Sequence, residues 1–139
     1  LPVFERPNEG WRDDCLRGAY VVRDGGPEPT SVVVATGSEI TLALEAADRV
    51  GPDVRVVSMF CKEAFLSQDE TFRKRIIPEG LPVVTAEVGV GFGWESVATD
   101  AANVFSLERF GESGKAEEVA EHLGITAERL AEVIKASRR

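Results

Sequence analysis

The chain has 139 residues, 43% of them hydrophobic and 29% charged, which is enough apolar material for one core and too little length for two. No apolar run approaches the roughly 18 residues that a membrane span needs, and no secretory-type leader of basic then apolar residues is visible. Sixteen basic against 24 acidic residues leave a net charge of −8, which repels phosphate backbones and anionic lipid heads and disfavours nucleic acid and membrane partners.

Residues 1–15 read as an irregular lead. Ala19-Tyr20-Val21-Val22-Arg23 then reads as a strand, joined through the turn-rich Asp24-Gly25-Gly26-Pro27 to Val32-Val33-Val34-Ala35. A link this short permits antiparallel pairing with that second run or an edge position. Val32–Ala35, Val54–Val57 and Pro82–Ala86 are β-branched or small apolar runs separated by helix-length segments, the pattern of parallel strands covered on both faces. Between the first two, Ile40, Ala43, Leu44, Ala47 and Val50 form a helical stripe that stops at Gly51-Pro52. Between the second and third, Ser67-Gln68-Asp69-Glu70 predicts a capping box, with Phe72 and Ile76 facing inward and Pro78 closing the helix. Asn103–Leu107 predicts a fifth strand. Ala116, Val119, Ala120 and Leu123 predict a helix ended by Gly124, and Thr126 caps a last helix with Ala127, Leu130, Ala131 and Ile134 inward. The sum is a doubly wound α/β sheet with a helical tail, and no internal repeat or low-complexity linker interrupts it.

In such a sheet, ligands favour the crevice at the carboxyl ends of the strands, where Thr36-Gly37-Ser38-Glu39 and Glu87-Val88-Gly89 emerge. The helix after Thr36 offers free N–H groups to an anion, but Thr36 and Glu39 also match a capping box that would occupy some of them. Gly89-x-Gly91-x-Gly93 departs from the Gly-x-Gly-x-x-Gly spacing of dinucleotide sites, and flexible turning ahead of Trp94 explains it equally. Glu87 is either a buried general acid or base, or a carboxylate satisfied by a helix N-terminus or a subunit neighbour. The single histidine, His122, lies in a charged stretch and reads as a surface residue. Cys61, beside Lys62, and the distant Cys15 read as free, inert thiols, and this set makes no metal site. Arg73-Lys74-Arg75 and Arg138-Arg139 read as solvated basic clusters.

The order of motifs carries a resemblance. Ala35-Thr36-Gly37-Ser38-Glu39 is followed by Val56-Val57-Ser58-Met59, Cys61 and Phe65, then Gln68-Asp69 and Glu87. Gly93-Trp94, Phe110-Gly111-x-Ser113-Gly114 and Leu123-Gly124-Ile125-Thr126 complete the series. The series resembles the C-terminal domain of transketolases across nearly the whole chain, from a linker equivalent to Leu1-Pro2-Val3 onward. Gln68-Asp69 and Phe110-Gly111 favour that family over the pyruvate-dehydrogenase beta subunit and deoxyxylulose-phosphate synthase, which share the domain type. Phe60 and Lys115 stand where the family often has proline.

The resemblance implies a three-layer α/β/α, Rossmann-like fold with a five-stranded mixed sheet, four strands parallel and one antiparallel. Residues 1–15 would then be a lead from a preceding domain, and 16–139 the C-terminal domain. It implies a cytoplasmic homodimeric parent enzyme of the pentose phosphate pathway. That enzyme moves a two-carbon ketol unit between sugar phosphates with thiamine diphosphate and a divalent metal (Mg or Ca). No catalytic, cofactor-binding or metal-binding position of the family maps onto this chain, so the expected role is structural, subunit-interface or regulatory, and the chain alone is expected to be inactive. Leu1 opens the sequence and Met59 is its only methionine, so further polypeptide, or a removed expression leader, is expected ahead of it. The alternative is an autonomous module that binds an anion or nucleotide at a crevice formed by Thr36, Gly37, Ser38, Glu39, Glu87 and Gly89.

Overall fold

In the computed structural model, which describes residues 5, 6 and 9–139, the chain runs α1 (Trp11–Leu16), β1 (Ala19–Arg23), β2 (Ser31–Ala35), α2 (Glu39–Val50), β3 (Val54–Met59), α3 (Lys62–Leu66) and α4 (Glu70–Ile76). It continues through β4 (Val83–Ala86), β5 (Val104–Phe105), α5 (Ala116–Leu123) and α6 (Ala127–Ser137). The five strands form one sheet in the order β1-β3-β2-β4-β5. β1 lies at one edge, antiparallel to β3 with Ala19 opposite Met59, and every other pairing is parallel. The expected three-layer mixed sheet is therefore present, and β1 takes the edge position rather than pairing with β2.

The layers follow from side-chain alternation along the strands. On β2, Val33 and Ala35 join one apolar cluster while Val32 and Val34 join the other, and all five residues of the strand are buried. The first face is covered by α2 and α6. Their facing residues Ala43, Ala46, Ala47, Ala127 and Ala131 are small enough to bring the two helices together, and Leu130 and Ile134 fill the space above the sheet. Each of those two large side chains is fully buried and contributes about 1.5–3 kcal/mol, whereas the exposed Arg49–Glu128 ion pair at 2.7 Å contributes at most about 1 kcal/mol. The apolar stripe, not the ion pair, docks α6. The second face is covered by Phe65 of α3, Phe72 and Ile76 of α4, and Trp94.

Several local expectations are corrected. Residues 11–16, expected to be irregular, form α1, because Trp11 and Cys15 lie one turn apart and pack on the first cluster, with the Trp11 ring 5.5 Å from that of Tyr20. Leu1-Pro2-Val3 of the expected linker lies outside the described residues. Ser67 is not a cap: its hydroxyl donates back to the Ala64 carbonyl at the end of α3, and Asp69 caps α4 by accepting from the Phe72 N–H at 2.9 Å. The fifth strand shrinks from five residues to two, since Asn103 is drawn into a 3₁₀ turn capped by Asp100, and Leu107 donates to the Gly89 carbonyl instead of extending the ladder. α5 keeps its apolar stripe, but Ala116 is exposed and Val119, Ala120 and Leu123 are only half-buried.

Gly18 has φ +106°, and a Cβ there would lie 2.4 Å from the Cys61 carbonyl oxygen and the Phe65 nitrogen, so only glycine lets the β1 entrance run beside α3. At the opposite, amino-terminal edge of the parallel strands, Arg138 donates to the Ser31 hydroxyl and pairs with Asp53 at 3.3 Å, pinning the end of α6 to the sheet.

Two predictions follow from these contacts. The Thr85 hydroxyl is fully buried and makes no hydrogen bond with the described residues, so Thr85→Val should stabilise the fold by about 1 kcal/mol in urea unfolding, and a loss of stability would contradict this. The Thr30 hydroxyl, and then Arg138, hold the Asp53 carboxyl below the usual carboxylate range. A depressed value means the stabilisation is present above the unfolded-state pKa and lost as pH falls through the folded one. The melting difference between wild type and Asp53→Asn should therefore shrink as pH is lowered from about 6 to about 2.

Candidate functional site

β2, β3 and β4 all end at the same edge of the sheet, and the loops that leave β2 and β4, with the first residue of α2, hold every residue of the expected crevice. The structure brings only some of them together. The Thr36 hydroxyl donates to Glu87 Oε2 at 2.7 Å, and Glu87 Oε1 accepts from the Gly89 N–H at 3.1 Å. Thus the Glu87 carboxylate is satisfied by a neighbouring hydroxyl and its own loop, not by a helix N-terminus. The predicted Thr36–Glu39 capping box does not form. Thr36 Oγ1 lies 3.5 Å from Glu39 Oε2, and Ser38, which precedes α2, makes no side-chain cap and instead donates to Glu39 at 2.8 Å. Thr36 turns to Glu87 because the parallel β2–β4 pairing sets Ala35 opposite Ala86 and so delivers the next residues side by side.

The remaining residues divide between two clefts. Thr36 and Gly37 line one of about 540 Å³ with Trp11, Tyr20 and Phe60; Ser38 and Glu39 line another of about 450 Å³, with Val88, against α5. In the first cleft the Arg6 guanidinium lies 4.8 Å from the Trp11 ring centroid and 5.7 Å from that of Tyr20. Burial pushes the Cys15 thiol up against the opposing pull of Arg6, which keeps it protonated and a poor nucleophile at neutral pH. Sequence reasoning missed Trp11 and Tyr20 as cleft residues; their aromatic character beside the strand ends was the available signal.

The glycine-rich loop holds the decisive geometry. Gly89, Gly91 and Gly93 each point an N–H at a carboxylate of the chain itself: Glu87 at 3.1 Å, Glu108 at 2.8 Å and Glu95 at 2.7 Å. Hydrogen bonds from the Ser106 hydroxyl and then the Gly91 N–H hold the Glu108 carboxyl below its ordinary range. A phosphate cradle needs such N–H groups open and positive surroundings; here they are occupied, by three negative groups. Lys62, the sequence neighbour of Cys61, donates to the Gly93 carbonyl at 2.9 Å and lies over the Trp94 ring. Cys61 points to Glu63 at 3.8 Å, and His122, 63% exposed, pairs with Glu112 at 3.5 Å, so these two form no nucleophile–base couple. No group of three or more His, Cys, Asp or Glu among the described residues is placed to hold a metal ion. The described residues at this edge therefore offer neither open donors for a diphosphate nor a ligand set for its metal. No described helix is long and apolar enough to cross a membrane.

Gly37 has φ +45°, and a Cβ there would meet nothing within 4 Å, so its requirement is backbone conformation alone. Gly37→Val should destabilise the fold by about 1–2 kcal/mol and Gly37→Asn by clearly less, read by thermal melting. Equal melting of wild type and the valine variant would contradict this.

The family model for the transketolase-like TK C-terminal domain matches residues 18–126. The chain is 45% identical over 135 residues to the transketolase of Treponema pallidum, covering 96% of this chain and 20% of that one. It is 40% identical over 134 residues to the chromosomal transketolase of Cupriavidus necator, covering 94% and 20%. Among solved structures, the transketolase of Pichia stipitis in complex with sedoheptulose-7-phosphate superposes with a TM-score of 0.87 at 30% identity, over 99% of this chain and 20% of that one. The chain thus spans about a fifth of the length of the relatives it matches. By the extent of that match and the level of those identities, the chain belongs to the transketolase family, as its C-terminal domain.

Proposed function

We propose that this chain is the non-catalytic C-terminal domain of a transketolase, working as scaffold and subunit-interface material for chemistry carried elsewhere. The parent activity is transfer of a two-carbon ketol unit between sugar phosphates, with thiamine diphosphate and a divalent metal supplied outside this domain. The enzyme would act as a cytoplasmic homodimer in the pentose phosphate pathway. One observation carries the non-catalytic reading: at the edge where an open sheet presents its ligands, the loop N–H groups are held by the chain's own Glu87, Glu95 and Glu108. An autonomous anion- or nucleotide-binding module is disfavoured for the same reason, because an incoming phosphate would have to displace three carboxylates of its own sign.

The purified 139-residue chain, given thiamine diphosphate, magnesium and pairs of sugar phosphates, is expected to show no ketol transfer, and calorimetry no heat of thiamine diphosphate binding. Turnover, or saturable binding, by this chain alone would overturn the proposal.

A further inference from the structure

Among the described residues, the half-buried arginines are matched by acceptors of the chain with one exception. Arg17 donates to Gln68 and Asp69, Arg23 to Asp48 and the Gly51 carbonyl, Arg55 to Asp24, and Arg138 to Ser31. Arg73 differs: its Nε is shut off from solvent and meets no acceptor among the described residues. A guanidinium cannot shed its charge, so a shielded N–H of this kind calls for an acceptor from outside the chain. Arg73 borders a cavity of about 240 Å³ on the second face of the sheet, between α3, α4 and the 3₁₀ turn Trp94–Ser96. Along α4, Phe72 and Ile76 turn to the core, while Glu70, Arg73, Lys74 and Ile77 fall at i, i+3, i+4 and i+7 of the adjoining stripe and all line the cavity. Phe65, Leu66, Ile77 and Val97 supply its apolar wall. Lys74 engages Glu70 at 2.6 Å and Glu79 at 3.0 Å, and its hydrogen bond, then its charge, holds the Glu70 carboxyl below the ordinary range. Both acids of the cavity thus answer to Lys74, and Arg73 is left as the unmatched donor.

We infer that this cavity is a binding site for a small monocarboxylate with a compact apolar body. The carboxylate accepts from the Arg73 guanidinium, whose planar fork matches it, and the body lies against Phe65, Leu66, Ile77 and Val97. The volume falls below the roughly 300 Å³ at which ordinary ligand pockets begin, which sets the ligand's size. Inorganic phosphate fits less well, because it has no apolar surface to lay on the wall and brings more negative charge toward Glu70 and Glu79. A metal ion fits less well again, since Lys74 already holds both carboxylates. Thr85, whose hydroxyl also lacks an acceptor, is sealed in the core at 0% exposure, whereas Arg73 borders an opening. None of Thr36, Glu87 and Gly89 lines this cavity, and the inference does not depend on the transketolase reading.

The probe is phenylacetate, titrated at neutral pH into the isotope-labelled 139-residue chain while the methyl resonances of Leu66, Ile77 and Val97 and the Arg73 Nε–H resonance are followed. Saturable shifts of these signals are expected, with a dissociation constant of about 1 mM or tighter, and no response at about 10 mM overturns the proposal. Phenylacetamide, which keeps the ring and lacks the charge, should bind at least about tenfold more weakly, and Arg73→Gln should weaken phenylacetate by at least about tenfold. Arg73→Lys, which keeps the charge and loses the fork, should fall between wild type and Arg73→Gln. Equal binding of the acid and the amide, or of wild type and Arg73→Gln, overturns the proposal. Inorganic phosphate should leave the three methyl signals in place; shifts with phosphate equal to those with phenylacetate would show an adventitious anion site only, and overturn it. Leu66→Glu gives the cavity a carboxylate of its own and should abolish phenylacetate binding, which decides the matter where Arg73→Gln does not fold. Undiminished binding to folded Leu66→Glu overturns the proposal.

Discussion

The structure depends on the complete burial of β2. A strand with neighbours on both sides and helices on both faces can expose no side chain, so Ser31-Val32-Val33-Val34-Ala35 must be apolar or small throughout, and its one polar residue, Ser31, is held by Arg138. Once β2 is central, β3 and β4 must run parallel beside it, and their crossovers must supply α2 on one face and α3–α4 on the other. All three strand ends then open at a single edge. The position of every candidate site residue follows from that placement.

What happens at that edge is decided by charge. Parallel α/β sheets offer ligands an unfilled set of donors there, but this chain fills the set with its own glutamates, at lengths of ordinary charge-assisted hydrogen bonds. Glu87 reaches Thr36 across the β2–β4 gap, and Glu108 reaches Gly91 across the β4–β5 gap. These contacts tie neighbouring loops into one surface. The same residues that sequence alone presents as candidate acids or anion binders thus act as fasteners.

Much of the fold was legible because the signals were long. The β-branched run Val32-Val33-Val34 marks β2, and the stripes of α2 and α6 extend over 12 and 11 residues, three turns each. α1 and α3, at six and five residues, are too short for periodicity to register, and only their packing makes them helices. Ser67 and Asp69 are both good cap residues two positions apart; the extended backbone at Asp69 decides between them, and the sequence does not display it. At the site, the spacing of Gly89, Gly91 and Gly93 departs from the dinucleotide fingerprint, and their N–H groups meet Glu87, Glu108 and Glu95. The partner of Gly91 lies 17 residues away at Glu108 and is brought near only by β5, so the saturation of the loop could not be read locally.

The central claim is that the loop amides belong to the protein's own carboxylates and not to a cofactor. The most direct measurement is the amide resonances of Gly89, Gly91 and Gly93 in the ¹⁵N-labelled chain during titration with magnesium thiamine diphosphate and, separately, with acid. The account predicts no response to the cofactor, together with a shift of the Gly91 resonance on acidification as Glu108, held below its ordinary range by Ser106 and the Gly91 N–H, takes up a proton. Saturable shifts of those three resonances with the cofactor at neutral pH would contradict it.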